Sequence, residues 1–417
     1  MSDGAYDLAV IGGGAAGLAG AAAAAEEYRL DVLVIEAGAR LGGIPLQCIH
    51  PGFGLSYFNE DLTGPEFAER LAARVHRRDI DILTDAHVTS LELLPDKRKK
   101  IVVTTRDGIR EIAAACILYT AGARERHRHE TGIVGDRPAG VFTAGEAQTL
   151  MDIDGALPGR HVVIIGSGDI GLIMARRFAL EGATVEAVIE MLPYPGGLTR
   201  NVVQCLHDFD IPLHTGRMVT AIRGSERVEA VDTVAVDDSM QPVDGTRQRV
   251  PCDTVALATG LIPNTSRLQD LDIAIDPATG GPVVNDCLET SVPGVFAAGN
   301  ALAINDYVDD AARQGEHAAA GASLYLEHGC IPADGGWIPL QKGRNIGLAL
   351  PHRISGARDV TLYLRVQRPE PRAIVRLPEL DMALPAQGVT PGEMLTIDIE
   401  ADRLAGHTGA ISLEVAR

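Results

Sequence analysis

Two stretches of the chain share one hydrophobic pattern. In YDLAVIGGGAAGLAG (residues 6–20) and HVVIIGSGDIGLIMA (residues 161–175), an apolar run ends in a glycine-rich turn and continues into a run of small and apolar residues. Short apolar runs stopped by glycine predict buried strands, and the runs after them predict helices packed closely on those strands. In both copies, alternating apolar segments broken by turn signals follow, at RDG (106–108) and DGT (244–246). Each copy closes on an apolar strand, ILYTAG ending at Gly122 and VALATG ending at Gly260. After residue 331 the pattern changes. DVTLYLRV, MLTIDIE and AISLEV alternate apolar and polar residues with period two, which predicts a small all-β module over 331–417.

The chemistry sits at matching places in the two copies. Gly12, Gly14 and Gly17 in the first, and Gly166, Gly168 and Gly171 in the second, follow the spacing that permits a tight turn, backbone approach to a pyrophosphate and close helix packing. One such motif alone is weak, since strand-to-helix turns are often glycine-rich. Here the register repeats as well: Glu36 and Glu190 each end the next strand, 24 residues after the first glycine of their motif. An acid at that place can accept hydrogen bonds from ribose hydroxyls. A glycine pair follows six residues later in both, Gly42-Gly43 and Gly196-Gly197. Two similar nucleotide-binding α/β units are the economical reading. Between its glycine pair and its next matching strand the first copy carries about 23 more residues than the second. Most of that excess is IPLQCIHPGFGLSYFNEDLTG, and whatever separates the units chemically is expected there.

Composition narrows the function classes. With 417 residues, 46% of them apolar and a net charge of -19, the chain reads as globular and repels phosphate backbones and anionic lipid. Nucleic-acid binding is therefore not expected, and the one basic cluster, DKRKK at 96–100, reads as a polar turn. The uncharged stretch from Leu8 to Ala25 contains five glycines and follows Asp3 and Asp7, so it predicts strand, turn and buried helix instead of a transmembrane segment or signal peptide. Six cysteines, at 48, 116, 205, 252, 287 and 330, make no CxxC or zinc spacing and point to free thiols in a cytoplasmic protein.

With TSVPGVFAAGNALAINDYVDDAARQGEHAA (290–319), these paired motifs resemble the two-dinucleotide flavoproteins of the pyridine nucleotide-disulfide oxidoreductase superfamily, thioredoxin reductase-like in size. The resemblance implies two Rossmann-like three-layer domains, the second inserted in the first. Its boundaries would be 1–125 and 256–330 for an FAD domain, 126–255 for an NAD(P) domain and 331–417 for the β module. It places Gly12, Gly14, Ala16, Gly17, Glu36, Arg40, Gly42, Gly43, Val88, Gly122, Gly299 and Asn300 on FAD. Gly166, Gly168, Asp169, Ile170, Gly171, Glu190 and Gly260 fall on the nicotinamide cofactor. The family pattern has Gly-Asp where this chain has Gly299-Asn300, so the amide oxygen would accept the ribityl bond without charge assistance. More narrowly, GGIPLQCIHPGFGL and RNVVQCL resemble a flavoprotein accompanying anaerobic glycerol-3-phosphate dehydrogenases, with flavin subunits of sarcosine oxidase and hydrogen cyanide synthase as more distant kin.

That resemblance implies an FAD-dependent NAD(P)H oxidoreductase exchanging electrons with a partner dehydrogenase subunit or electron carrier. The alternative is a non-catalytic flavoprotein subunit scaffolding such a complex; self-association into a homo-oligomer stays open. NADH is expected over NADPH, because Glu190 would repel a 2'-phosphate and EMLPYPGG holds no arginine to receive it. Cys48 and His50 are the candidate catalytic residues. Either Cys48 sits near the flavin as a thiolate beside His50, or it is a buried free thiol and His50 makes a structural hydrogen bond. Dithiol exchange needs a second cysteine, which no local spacing supplies. His127 and His129 share a face if extended, but no third metal ligand is visible, so no metal site is assigned. YVDDAARQGEHAA is expected to begin a helix whose N-terminus faces the flavin, and the extra residues to lie against it as loop and helix. The β module is expected to dock a partner or protomer, with a stabilising cap as the other reading.

Overall fold

A computed structural model of the chain describes residues 5–333 and 335–416. It resolves into two compact units, residues 1–123 with 263–417, and residues 124–262. The strand Thr254–Leu257 belongs to the sheet of the second unit, so the chain returns to the first unit at Pro263 and not at 256.

The first unit is built on a sheet ordered Asp81–Leu83, Val32–Ile35, Ala5–Ile11, Gly108–Tyr119, Lys99–Thr105, His87–Leu93, with Val295–Ala297 also paired to Gly108–Tyr119. The strands around Ala5–Ile11 are parallel, and the hairpins at the other edge are antiparallel. The uncharged Leu8–Ala25 stretch divides as expected, into the strand Ala5–Ile11 and the helix Ala15–Glu26. Its small residues have a packing cause. A Cβ on Gly315 would collide with the Ala16 carbonyl, and one on Gly20 would lie 2.8 Å from the Gly315 carbonyl oxygen. The helices Ala15–Glu26 and Val308–His328 therefore meet backbone to backbone over a face that larger side chains would hold apart. Among the described residues no helix is long and apolar enough to cross a membrane.

DKRKK is a turn only in part. Its Lys99 enters the next strand, is 0% exposed, donates from Nζ to the Ala115 carbonyl at 2.7 Å and lies 5.0 Å over the Tyr325 ring. Burial lowers its pKa.

The β module is not a loose appendage. It forms a sheet ordered Arg353–Ile354, Ile338–Lys342, Ile411–Ala416, Ala373–Leu377, Met382–Ala386, and a second of Ile346–Leu350, Val360–Val366 and Leu395–Ile399. These enclose their own apolar core, yet Leu348 and Leu350 are buried in the same cluster as the Ala15–Glu26 helix. Asp286 accepts from Ser355 N at 2.7 Å and from Arg358 Nη1 at 2.8 Å. The module is thus joined to the rest of the first unit through buried side chains, an attachment that the alternating pattern alone does not supply.

In the second unit, a five-stranded parallel sheet runs Val141–Thr143, Thr254–Leu257, His161–Ile165, Thr184–Ile189, Leu213–His214. A four-stranded sheet of Val134–Gly135, Arg217–Arg223, Ala230–Ala235 and Gln248–Pro251 accompanies it. The helix Asp169–Leu180 follows the glycine turn, as Ala15–Glu26 does in the first unit.

Candidate functional site

Strand register brings the motif residues together. In the first unit Ile11 lies beside Ile35 and Tyr119, so Gly12, Glu36 and Thr120 emerge side by side at the carboxyl ends of three parallel strands. In the second, Ile165 lies beside Ile189 and Leu257, and Gly166, Glu190 and Ala258 emerge likewise. Carboxyl ends of parallel strands are where open α/β sheets bind ligands.

The two acids are held in matching ways. Glu36 accepts from Gly13 N at 2.7 Å and Gly38 N at 2.6 Å. Glu190, 7% exposed, accepts from Ser167 N at 2.9 Å and Leu192 N at 2.8 Å. Ser167 adds its hydroxyl to Glu190 at 2.6 Å and accepts from Gly196 N at 2.9 Å. Each carboxylate is fixed by amides on both sides and keeps lone pairs for further donors.

The glycines divide by task. Gly12 has φ +106, and a Cβ there would strike the Thr120 carbonyl; Gly17 admits none against the Gly12 carbonyl. Gly166 and Gly171 repeat both relations against Ala258 and Gly166. Gly14 differs: a Cβ there would meet only the Gly43 Cα, at 3.9 Å, and at Gly168 it would meet nothing within 4 Å. These positions leave open cradles beside helix N-termini, which is what a pyrophosphate requires. Gly42 N donates to the Gly13 carbonyl at 2.8 Å, folding the Gly42-Gly43 turn over the first cradle. Thr120 Oγ1 bonds the Ile11 and Gly12 carbonyls at 3.0 and 2.9 Å, a tie that the TAG closure signals only in hindsight.

A cleft of about 540 Å³ opens from this cradle. Of the sequence-predicted residues, Gly12, Gly14, Ala16, Glu36, Gly43, Cys48, Val88, Gly122, Gly299 and Asn300 line it. Gly17 and Gly42 support it from behind. Arg40 is exposed, and His50 has its Nδ1 2.9 Å from the Pro51 carbonyl and its ring 5.2 Å from that of Phe53; neither is among the lining residues. Asn300 offers its amide oxygen to Asn305 N at 3.0 Å. In the second unit Asp169 accepts from Leu198 N at 2.9 Å and Asn201 Nδ2 at 2.6 Å, joining the motif to the segment after Gly197. Ile170 packs on the apolar core there, and Gly260 follows the closing strand with open space around it.

The insert lies against the cleft. It forms a short helical turn Ile44–Gln47, a hairpin of Pro51–Phe53 with Leu62–Thr63, and then the helix Gly64–His76. Ile44, Pro45, Cys48 and Phe53 line the cleft, and Cys48 is the one cysteine among its lining residues. Cys48 is 8% exposed, and its thiol lies 3.5 Å from the Ile44 carbonyl. All six cysteines are free thiols. Burial pushes Cys116, Cys252 and Cys287 up to about 12.

One residue central to this arrangement escaped the sequence reading. Asp309, in the first turn of Val308–His328, is 4% exposed and accepts from Gly54 N and Ser56 N at 2.8 Å, Ser56 Oγ at 2.9 Å and Tyr57 N at 3.2 Å. It pins the insert to the helix start, where Tyr307, Val308 and Ala311 line the cleft. Tyr57 OH donates to Glu316, and Arg74 Nη1 donates to both, at 2.6 Å to Tyr57 and 3.1 Å to Glu316. The VDD signal was visible as a helix start, but its partners lie about 250 residues earlier. His127 and His129 stack at 5.9 Å, and among the described residues no group of three His, Cys, Asp or Glu side chains could hold a metal.

Comparison with known proteins agrees with this geometry. The model of the pyridine nucleotide-disulphide oxidoreductase family matches residues 6–320. An opine oxidase subunit of Agrobacterium tumefaciens (strain Ach5) is 27% identical over 318 residues, 72% of this chain and 62% of that protein. An alkyl hydroperoxide reductase subunit of Xanthomonas campestris pv. phaseoli is 27% identical over 330 residues, 77% of this chain and 57% of that protein. The chain thus spans about three fifths of the length of these curated relatives. The crystal structure of T. acidophilum thioredoxin reductase superposes with a TM-score of 0.64 at 25% identity, over 77% of this chain and 98% of that one. The chain belongs to the pyridine nucleotide-disulphide oxidoreductase family, whose FAD and NAD(P)H are its cofactors.

Proposed function

We propose that this chain is an FAD-dependent NAD(P)H oxidoreductase that exchanges electrons with a partner dehydrogenase or electron carrier. The observation that carries this reading is the repeated pairing, in both units, of a backbone-locked carboxylate with an open glycine cradle. On this reading Gly12, Gly14, Gly43, Glu36, Gly122 and Gly299 hold FAD, and Gly166, Gly168, Glu190 and Gly260 hold the nicotinamide nucleotide. When bound, these cofactors supply the hydride chemistry. The protein contributes amides to the pyrophosphates, carboxylates to the riboses, and an apolar wall of Pro45, Cys48 and Phe53 along the cleft.

Partner exchange rests on two supports. Two relatives, the opine oxidase and alkyl hydroperoxide reductase chains, are by name subunits of larger enzymes. At the insert, Ile44, Ile49 and Leu55 are 63, 41 and 44% exposed, an apolar surface beside the cleft. The glycerol-3-phosphate dehydrogenase association implied by the sequence resemblance is the narrower proposal of the same kind. The match to the opine oxidase chain favours a second reading as well, in which this protein binds flavin but serves mainly to assemble an amine-oxidising or amino-acid-oxidising complex.

FAD content tests the core of the reading. The purified chain should carry about one FAD per polypeptide. Gly14→Val should fold, since the cradle is open, but fill the pyrophosphate space and yield apoprotein. A wild-type chain that is colourless and cannot be reconstituted with FAD removes the assignment.

A further inference from the structure

The β module lies beyond the residues matched by the family model, yet it reaches the edge of the cofactor cleft. Arg365, on the strand Val360–Val366, donates from Nη2 to Asp306 Oδ1 at 2.6 Å and to the Ile304 carbonyl at 3.3 Å. Its Nη1 donates to the Pro391 carbonyl at 2.8 Å. Met394 N, also of the module, donates to Asp306 Oδ2 at 2.6 Å. Both carboxylate oxygens of a side chain only 8% exposed are therefore held by the module.

The next residue carries the contact into the cleft. Asn305 N donates to Asn300 Oδ1 at 3.0 Å, and Gln314 Nε2 donates to Asn305 Oδ1 at 3.0 Å. Gln314 Oε1 in turn accepts from Gly299 N at 3.0 Å. Gly299, Asn300, Asn305 and Tyr307 all line the cleft. Two sets of hydrogen bonds, mostly part-buried and joined by the peptide link between Asn305 and Asp306, thus lead from Arg365 and Met394 to the segment on which the flavin would rest. Such networks fix one arrangement when every member is satisfied and loosen when one is removed.

We propose that the C-terminal β module is a clamp for the cofactor cleft, and that Arg365 is a positioning residue which acts through Asp306 to hold residues 299–307 in the form that retains FAD. The proposal rests on the reading of the cleft as the flavin site. Its physical logic is that of pre-organisation: a segment already ordered by the module loses less entropy when cofactor binds.

Two measurements on the full-length chain test this. Hydrogen exchange of cofactor-free protein should show residues 299–307 exchanging on the order of tenfold faster in Arg365→Met, with the strands Ile346–Leu350 and Leu395–Ile399 still protected. The same variant, reconstituted, should bind FAD on the order of tenfold more weakly, with an unchanged KM for NADH. Arg365→Met alone leaves the Asp306 charge buried and less well paired, so the double variant Arg365→Met with Asp306→Asn is the control. It should regain thermal stability but not FAD affinity. Unchanged exchange at 299–307 overturns the clamp whatever the flavin does, and so does a double variant that binds FAD like wild type. A wild-type chain that fails to bind FAD overturns the flavin reading instead, while the exchange result still judges the clamp.

Discussion

Cys48 lines the cleft at 8% exposure, and no second cysteine is among the described residues that line it. Dithiol exchange within the chain needs an attacking and a resolving sulfur, so Cys48 is expected to tune its surroundings without cycling through an internal disulfide. Cys48→Ser should keep FAD and keep NADH-dependent flavin reduction within about tenfold, which is under about 1.4 kcal/mol of barrier. Any long-wavelength charge-transfer absorption should go with the sulfur. A serine variant reduced normally but unable to pass electrons to any acceptor makes Cys48 an obligatory relay. At this scale the sequence was readable where chemistry depends on spacing. Register alone singles out Glu36 and Glu190, and in the structure both carboxylates accept from paired amides. His50 is named because it neighbours Cys48 in sequence, but it does not line the cleft: its Nδ1 lies 2.9 Å from the Pro51 carbonyl and its ring 5.2 Å from that of Phe53. Lys99 belongs to a charge run that reads as a polar turn, whereas strand alternation turns it inward.

At the scale of elements, the helix Val308–His328 organises the first unit. Its start carries Asp309, which holds the insert, and follows Asp306, which meets the β module. The sequence indicates the helix and its approach to the cleft, and a helix N-terminus carries positive partial charge. Asp309 and Asp310 in the first turn offset that charge. Asp309→Ala should leave four donors without their acceptor and cost on the order of 3 kcal/mol, since bonds to a buried carboxylate are among the stronger ones. Limited proteolysis should then cut within residues 54–61 while the core stays resistant. An insert as protease-resistant as wild type would show that its own hairpin and aromatic packing hold it without Asp309. The insert was legible as an excess of length in one copy of a repeat. Its anchor was not, because a contact spanning some 250 residues leaves no local pattern.

For the whole molecule, the repeat carried the fold. Two glycine motifs in equal register predicted two α/β units, and the strand orders and registers agree with that architecture. The end of the second unit was placed early, because the closing strand VALATG resembles both the end of one unit and the return to the other. Period-two alternation gave the strands of the β module but not its attachment, since the residues that join it to the first unit, such as Leu348, Asp286 and Arg365, lie in no shared motif. The central claim is that this chain moves reducing equivalents from a nicotinamide nucleotide to its own flavin. Anaerobic stopped-flow mixing of the FAD-loaded chain with NADH, and separately with NADPH, tests it most directly. NADH should bleach the flavin absorbance, with a preference over NADPH on the order of ten- to hundredfold from repulsion at Glu190. A flavin that stays oxidised with both nucleotides, while dithionite reduces it, would contradict the account and leave the chain with an assembly role alone.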